Sequence, residues 1–107
     1  MNDDVTILID YNGRSIRLTK ERRKHILEHA EMAGQFERIV ETVKSPETII
    51  ATLVDETVHI YHRYYETTPV TSKFLLVAVK LISKDDAFVL TAFFSRREKR
   101  GTLIWKA

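Results

Sequence analysis

The sequence KFLLVAVKLISKDDAFVLTAFFS, residues Lys73–Ser95, predicts two long neighbouring β-strands. Its apolar runs, Lys73–Ile82 and Ala87–Ser95, are separated by a short polar Ser-Lys-Asp-Asp turn, and a connection this short makes consecutive strands antiparallel partners. Because both runs are almost wholly apolar, either both of their faces are covered or one face is covered and the other forms a pocket. The stretch therefore predicts a buried hairpin in the middle of a sheet.

Strand patterns continue on both sides of this hairpin. At the N-terminal end, Val5–Thr19 alternates apolar and polar residues around Asn12-Gly13, which is a strong hairpin signal. Three further segments are rich in β-branched and aromatic residues. They are ETIIATLV (Glu47–Val54), VHIYHRYY (Val58–Tyr65) and GTLIWK (Gly101–Lys106).

Two helices are predicted between the first hairpin and the later strands. The first, about Lys20–Met32, has Thr19 as its N-cap, and Gly34 ends it or bends it into the next helix. The second, about Gln35–Lys44, has apolar residues at helical spacing and ends before Pro46. The inner stripe of the first helix is predicted to contain Ile26, Ala30 and Ala33.

These elements predict an α+β fold in a single domain of residues 1–107. We expect an N-terminal β-hairpin, two helices and then an antiparallel sheet of four to five strands, with the helices packed on one face. A length of 107 residues allows one modest core. The chain has no cysteine, and its first residues are neither a signal peptide nor a transmembrane span. We therefore expect a cytoplasmic protein with no membrane partner.

The charged residues are segregated although the net charge is small. The 17 basic and 15 acidic side chains give a net charge of +2. Lys20–Lys24 (KERRK) and Arg96–Arg100 (RREKR) each hold four cations in five residues. The acids collect elsewhere, at Asp3, Asp4, Asp55, Glu56, Asp85 and Asp86. This segregation indicates either a positive patch for a polyanion or two solvated surface segments.

The segment HILEH, His25–His29, matches the H-x-x-E-H signature of a zinc-binding helix. Two histidines four apart on a helix share a face, so they could supply two zinc ligands with Glu28 as the base. They could equally be the acid and base of a metal-free reaction, or ordinary residues beside a core. A catalytic zinc site needs a third protein ligand, and no recognisable spacing places one. The sequence therefore predicts no metal and no cofactor.

A second group of polar residues lies on predicted strands. Alternation in VHIYHRYY puts Val58 and Ile60 on one face and Tyr61 and Arg63 on the other. If the apolar pair faces the core, Tyr61 and Arg63 face the open side of the sheet. Thr91 is a lone hydroxyl in an apolar run, either satisfied by the backbone or facing a ligand.

These residue types suit cleavage of RNA without a metal. In this reaction the neighbouring 2′-hydroxyl of the RNA is the nucleophile. One protein group takes its proton, and another protonates the leaving oxygen. Cations stabilise the negative charge of the phosphorane. A histidine suits either proton role. Arg63 and Arg97 suit the charge role, because a guanidinium group forks onto two phosphate oxygens. Tyr61 or Tyr65 could stack on an unpaired base.

The order of the motifs resembles a known group of nucleases. The chain carries RLTKERRKHILEH, ETVKSPETII, VHIYHRYY, KFLLVAVKL, FVLTAFFSRREKRG and LIWK in this order. The series is similar to the phage and bacterial branch of the barnase–EndoU–colicin–RelE-like nuclease superfamily, and the similarity spans nearly the whole chain. The resemblance implies N-terminal helices followed by a four-stranded antiparallel sheet. It also implies metal-independent cleavage of RNA, commonly in toxin or conflict systems.

The resemblance implies roles for individual residues. Either His25 or His29 transfers protons, Arg63 binds the scissile phosphate, and Thr91 contacts the scissile region. Arg96, Arg97 and Lys99 are expected to contact backbone phosphates. The implied partners are RNA and a neutralising protein antitoxin. The alternative is a domain that keeps this fold and binds RNA or protein without catalysis.

Overall fold

The computed structural model describes residues 5–107, so the acidic Asp3 and Asp4 lie outside it. This part of the chain contains seven β-strands, two α-helices and one short 3₁₀ helix. In chain order they are β1 (Val5–Ile9), β2 (Ser15–Thr19), α1 (Lys20–Leu27), the 3₁₀ helix (Ala30–Met32), α2 (Phe36–Lys44), β3 (Thr48–Ala51), β4 (Val58–Tyr64), β5 (Phe74–Ser83), β6 (Asp86–Ser95) and β7 (Thr102–Lys106).

All seven strands form one sheet in the order β1-β2-β6-β5-β4-β3-β7. The apolar strands β5 and β6 are antiparallel partners near its middle, as their composition predicts. The α+β class is confirmed, but the sheet has more than the predicted four to five strands. The first hairpin joins it through a parallel pairing of β2 with β6 at Arg17 and Phe88, and β7 pairs with β3. The sheet is therefore mixed rather than wholly antiparallel.

Both helices pack on one face of the sheet, as predicted. Ile26 of α1 and Ile39 and Val43 of α2 are buried in the same core as Leu75 and Val77 of β5. Each such side chain contributes about 1.5–3 kcal/mol when it is fully removed from water. This main core therefore holds the helices against the sheet. Within residues 5–107, neither helix is long and apolar enough to cross a membrane.

The first helix is shorter than the predicted Lys20–Met32. Thr19 caps it as expected, with its hydroxyl accepting the backbone N–H of Arg22 at 3.1 Å. However, α1 ends at Leu27. The chain then passes through the 3₁₀ helix and Gly34, whose φ of 75° lies in the left-handed region that favours glycine. Gly34 lies in the connection to α2, but it does not end the first helix, which stops well before it.

This early end changes which residues face the main core. Ile26 is buried as predicted. The 3₁₀ helix then buries Met32 and leaves Ala30 and Ala33 exposed. The predicted inner stripe is wrong beyond Ile26, because a 3₁₀ turn does not keep the 100° rotation per residue of an α-helix.

A β-bulge in β6 separates two residues that strict alternation puts on one face. Val79 pairs with Val89 and its neighbour Ala78 pairs with Thr91, so Leu90 is an extra residue in β6. An extra residue resets the faces of the residues on either side of it. Val89 lies in the main core, whereas Thr91 lies on the opposite face with Ala78.

The face of the sheet without helices, called the open face below, carries a second apolar cluster. Its buried members are Ile50, Ile60, Leu76 and Ala78. Because Ile60 belongs to this cluster, its neighbour Tyr61 and then Arg63 point to the helix-covered face. The prediction that Tyr61 and Arg63 face the open side is therefore wrong, since Val58 and Ile60 mark the second cluster and not the main core.

Candidate nucleic-acid interface

A basic loop borders a groove on the open face. The loop, Arg96–Arg100, joins β6 to β7, and all of its residues are exposed. The groove has a volume of about 600 Å³. Its lining includes Leu76, Phe93, Ser95, Arg97, Lys99 and Arg100. Phe93 is 38% exposed, so an aromatic ring and several cations are accessible in one groove. That combination is typical of surfaces that bind single-stranded nucleic acid.

Three contacts fix the course of the basic loop. The hydroxyl of Ser95 accepts the backbone N–H of Arg97 at 3.4 Å, and Nε2 of buried His62 accepts the backbone N–H of Lys99 at 3.0 Å. Gly101 follows the loop and lies so close to β3 that a Cβ there would overlap a β3 carbonyl oxygen. The cations of the basic loop are therefore carried on a defined backbone.

The first turn of α1 lies beside β6. Nη1 of Arg22 donates to the carbonyl oxygen of Leu90, the bulge residue that precedes Thr91, at 3.0 Å. Arg22 and His25 line one shallow pocket of about 340 Å³. His25 and His29 are both exposed, and their ring centroids lie 5.7 Å apart in an edge-to-face arrangement. Arg22 thus contacts the strand that carries Thr91, His25 shares a pocket with Arg22, and His29 lies next to His25.

The zinc-helix alternative lacks the geometry that it requires. His29 lies beyond the end of α1 with an extended backbone, φ −68° and ψ 133°, so H-x-x-E-H does not form a continuous helical turn. Among residues 5–107, no group of three or more histidine, aspartate and glutamate side chains is placed to hold a metal ion. A third ligand for His25 and His29 is therefore missing from the described part of the chain.

Arg63 is engaged on the helix-covered face. Its Nη1 donates to the carbonyl oxygen of Ser45 at 2.6 Å, and its Nε lies 3.7 Å from the carboxylate of Glu41. Its neighbour His62 points to the opposite face, where it holds the basic loop. Arg63 and the basic loop are therefore on opposite faces of the sheet. The resemblance implied that Arg63, Thr91 and the loop cations contact one substrate, and the position of Arg63 contradicts this.

The ring of Tyr65 is covered by guanidinium groups. The Cζ atom of Arg38 lies 4.4 Å from its centroid and that of Arg63 lies 5.7 Å away. The hydroxyl donates to Glu41 at 2.6 Å, and burial together with this bond raises the pKa of Tyr65 to about 12. Because the ring and hydroxyl are already engaged, Tyr65 does not offer the stacking surface that was predicted.

Tyr61 joins the first hairpin to the centre of the sheet. It is 2% exposed, and its hydroxyl donates to Oδ2 of buried Asp10 at 2.6 Å. The other carboxylate oxygen of Asp10 accepts the backbone N–H groups of Asn12 and Arg14, each at 2.9 Å. Burial, and then the bond to Asp10, raise the pKa of Tyr61. A buried ring cannot stack on a base, so the predicted binding role of Tyr61 is wrong.

Replacing Tyr61 with phenylalanine is expected to lower the free energy of unfolding by about 1–3 kcal/mol. The change removes the hydroxyl donor and leaves a buried carboxylate oxygen of Asp10 short of a partner. Urea denaturation of the Tyr61→Phe variant measures the effect. Tyr64→Phe is the matched control, because the hydroxyl of Tyr64 bonds to Glu66 at an exposed site. Equal midpoints for the two variants would show that the Tyr61–Asp10 bond contributes nothing to stability.

Sequence reasoning does not identify His62 and Arg22 as parts of this interface. A signal for His62 does exist, because it shares a strand face with the apolar Val58 and Ile60. A histidine in such a place is commonly buried and hydrogen-bonded. The contact of Arg22 has no comparable signal, since its acceptor is a carbonyl freed at the β6 bulge.

Comparison of the chain with known family models, with curated proteins and with solved structures finds no significant match. The chain is therefore assigned to no family by these comparisons. The motif resemblance and the geometry of the interface are what supports a function.

Proposed function

We propose that the chain is a metal-independent endoribonuclease whose substrate lies along β6. The observation that carries this proposal is the hydrogen bond from Arg22 to Leu90. This bond holds Arg22 of α1 to the strand that bears Thr91, and His25 shares a pocket with Arg22. That strand leads directly into the basic loop, so one single-stranded RNA could contact both regions. The motif resemblance supports the same class of reaction.

The proposed reaction is a transesterification within RNA. One imidazole, from His25 or His29, takes the proton of a 2′-hydroxyl while that oxygen attacks the adjacent phosphorus. The bond from phosphorus to the 5′-oxygen breaks, and the leaving oxygen receives a proton from the other imidazole or from water. A 2′,3′-cyclic phosphate and a free 5′-hydroxyl are the products. The exposure and proximity of the two rings support this division of roles.

Arg22 is proposed to stabilise the phosphorane in place of Arg63. Arg22 is exposed and uses one Nη1 donor to hold Leu90. A guanidinium group has five N–H donors, so others remain for phosphate oxygens. Thr91 is half-buried on the open face, on the other side of the sheet from the helices, and is proposed to contact the RNA where the strand passes β6 onto that face. Electrostatic stabilisation by a fixed cation needs no metal.

The groove is proposed to hold the RNA on the 3′ or 5′ side of the cleaved bond. Arg96, Arg97 and Lys99 would contact backbone phosphates, which fix the strand without reading its sequence. Phe93 replaces Tyr61 and Tyr65 as the base-stacking residue, since its ring is exposed in the groove. Base stacking on an aromatic ring contributes about 1–3 kcal/mol per base.

A cytoplasmic location and a neutralising protein partner belong to the same proposal. The lack of cysteine fits a reducing compartment, and the resemblance to toxin nucleases supports an antitoxin. A protein with an acidic surface would complement the basic loop and block access of RNA to the groove.

Purified protein is expected to cleave a single-stranded RNA in the presence of EDTA. The expected fragments end in 2′,3′-cyclic phosphate, and a substrate with one 2′-deoxynucleotide is expected to resist cleavage at that position. Gel electrophoresis and mass spectrometry of the fragments measure both results. Activity that disappears with EDTA and returns with zinc would contradict the metal-free mechanism.

The second candidate function is RNA binding without cleavage, and the basic loop beside the groove favours it independently of the histidines. In this case RNA would bind with an affinity that falls steeply as salt rises. The RNA would remain intact under every condition. The same purified protein and the same RNA therefore distinguish the two functions.

A further inference from the structure

His62 lies at the boundary between the sheet and the basic loop. Its side chain is 0% exposed, and both ring nitrogens have partners. Nδ1 lies 3.1 Å from the hydroxyl of Thr48 on β3, and Nε2 lies 3.0 Å from the backbone nitrogen of Lys99 in the loop. One buried imidazole thus connects β4, β3 and the segment that carries the cations.

The bond to Lys99 fixes the proton of the neutral ring. A backbone N–H only donates, so Nε2 must accept and carry no proton. The proton of neutral His62 is then on Nδ1, where the hydroxyl of Thr48 accepts it. Protonation would place a second N–H on Nε2, facing the N–H of Lys99. The two donors cannot bond, so the charged ring is incompatible with the observed loop contact.

The charged groups near His62 lie in the basic loop and next to β3. Glu98 lies in the basic loop itself, and its carboxylate favours the protonated ring. Just before β3, Glu47 already accepts the backbone N–H of Tyr64. On the β5 side, the register partner of His62 is the uncharged Leu76. Burial, the largest effect, lowers the pKa of His62, and Glu98 and Thr48 oppose it.

We propose that His62 is a positioning residue of the RNA groove, which holds the basic loop in its binding conformation only while the imidazole is neutral. This inference rests on the proposed RNA-binding role of the groove. It assigns to one buried side chain the control of four exposed cations. The basic loop is then held in this conformation around neutral pH and is released in acid.

The direction of the pH effect follows from proton binding. While the loop is held, the pKa of His62 is lowered from its ordinary value of 6.5. When the loop is released, this pKa returns towards 6.5. Between these two pKa values the released state binds more protons. The held conformation of the loop is therefore fully favoured above about pH 6.5, and it is lost as the pH falls through the lowered pKa of His62. Simple charge would act in the opposite direction, because acid makes the protein more positive.

The first test needs no variant and no RNA. Nuclear magnetic resonance of the ¹⁵N-labelled wild-type protein follows the ring nitrogens of His62 and the amide of Lys99 from about pH 7.5 to about pH 4.5. We expect the Nδ1-protonated tautomer at neutral pH. Protonation of the ring and loss of hydrogen-exchange protection at Lys99 should share one midpoint. An amide of Lys99 that stays protected after His62 is protonated would overturn the inference.

The second test connects the loop to RNA. A 2′-O-methyl oligouridine lacks the nucleophile and is not cleaved, and its bases do not titrate in acid. Wild-type affinity for this probe is expected to fall by roughly tenfold between about pH 7.5 and about pH 4.5, which corresponds to the loss of one or two phosphate contacts. Affinity that rises steadily in acid would contradict the inference.

His62→Gln is the matched variant for both tests. The side-chain oxygen of glutamine can accept the N–H of Lys99 but does not titrate, so the fall of affinity in acid should disappear. The other three histidines remain in this variant, which separates their titration from that of His62. One outcome separates the two proposals: the probe binds at no pH, but the Lys99 amide still loses its exchange protection when His62 is protonated. In that case the proposed RNA-binding function of the groove fails, and the positioning role of His62 stands.

Discussion

Replacing His25 with alanine is expected to lower the rate of RNA cleavage by about 10²-fold or more, since general acid or base catalysis contributes about that factor. His25 shares a pocket with Arg22, which is fixed to the strand of Thr91. The side chain is exposed, so its removal should leave the free energy of unfolding almost unchanged. Single-turnover cleavage of a fluorescent RNA measures the chemical step separately from binding.

Lys24→Ala is the control for this substitution. Lys24 is an exposed cation next to His25 on the same helix, so its loss tests the effect of local charge without an imidazole. His29→Ala is measured beside it. A large loss in His29→Ala alone would assign the proton transfer to His29. Wild-type rates in both histidine variants would remove the imidazoles from the mechanism and favour binding without cleavage.

Replacing Arg96, Arg97 and Lys99 together with glutamine is expected to weaken RNA binding by roughly 10²-fold at about 0.1 M salt. Each phosphate contact with a single strand contributes about 0.7 to the slope of log affinity against log salt, so the slope should fall by about 2. The three side chains are exposed, and the fold should survive. Fluorescence anisotropy with the 2′-O-methyl oligouridine at several salt concentrations measures both quantities.

The control for this variant removes the same charge from other places. Lys44, Lys84 and Lys106 are exposed and lie outside the basic loop. Their combined replacement with glutamine should change the affinity far less, because only local cations displace the counterions of the bound strand. An equal loss in both triple variants would show that net charge, and not the groove, determines binding.

The central part of the fold could be predicted from local pattern. The apolar runs of β5 and β6, the Asn12-Gly13 turn and the Thr19 cap each follow from a short stretch of sequence. All three are present in the structure. The joining of the hairpin to β6 could not be predicted in the same way. It depends on a parallel pairing between distant segments, and a single strand pattern holds no information about its partner.

The faces of the strands were harder to predict for a physical reason. Alternation gives two faces but does not say which one the helices cover, and this sheet has apolar residues on both. Tyr61 and Arg63 were therefore predicted on the open face, although they lie on the helix-covered face. In β6 the bulge at Leu90 broke the alternation itself. A bulge is a property of the paired strands and cannot be seen in one of them alone.

For the same reason, only some residues of the candidate site lie where the sequence placed them. The cations of the basic loop lie in or beside one groove, as their clustering in the sequence suggested, and Thr91 lies on the same face. Arg63 and Tyr65 were separated from them because Glu41 of α2 engages both. That engagement depends on how α2 lies over β4, which residue types alone do not specify.

The parallel pairing of β2 with β6 also bears on when the proposed activity could arise during synthesis. Arg17 of β2 pairs with Asp86 of β6 at 2.9 Å, across 69 residues of chain, and contacts of such span form only after the intervening loop has closed. On the proposed function, α1 meets β6 no earlier than the emergence of β6 from the ribosome. A nascent chain that still lacks this strand would have no assembled site of the proposed kind, so it could not cleave RNA before β6 has been made.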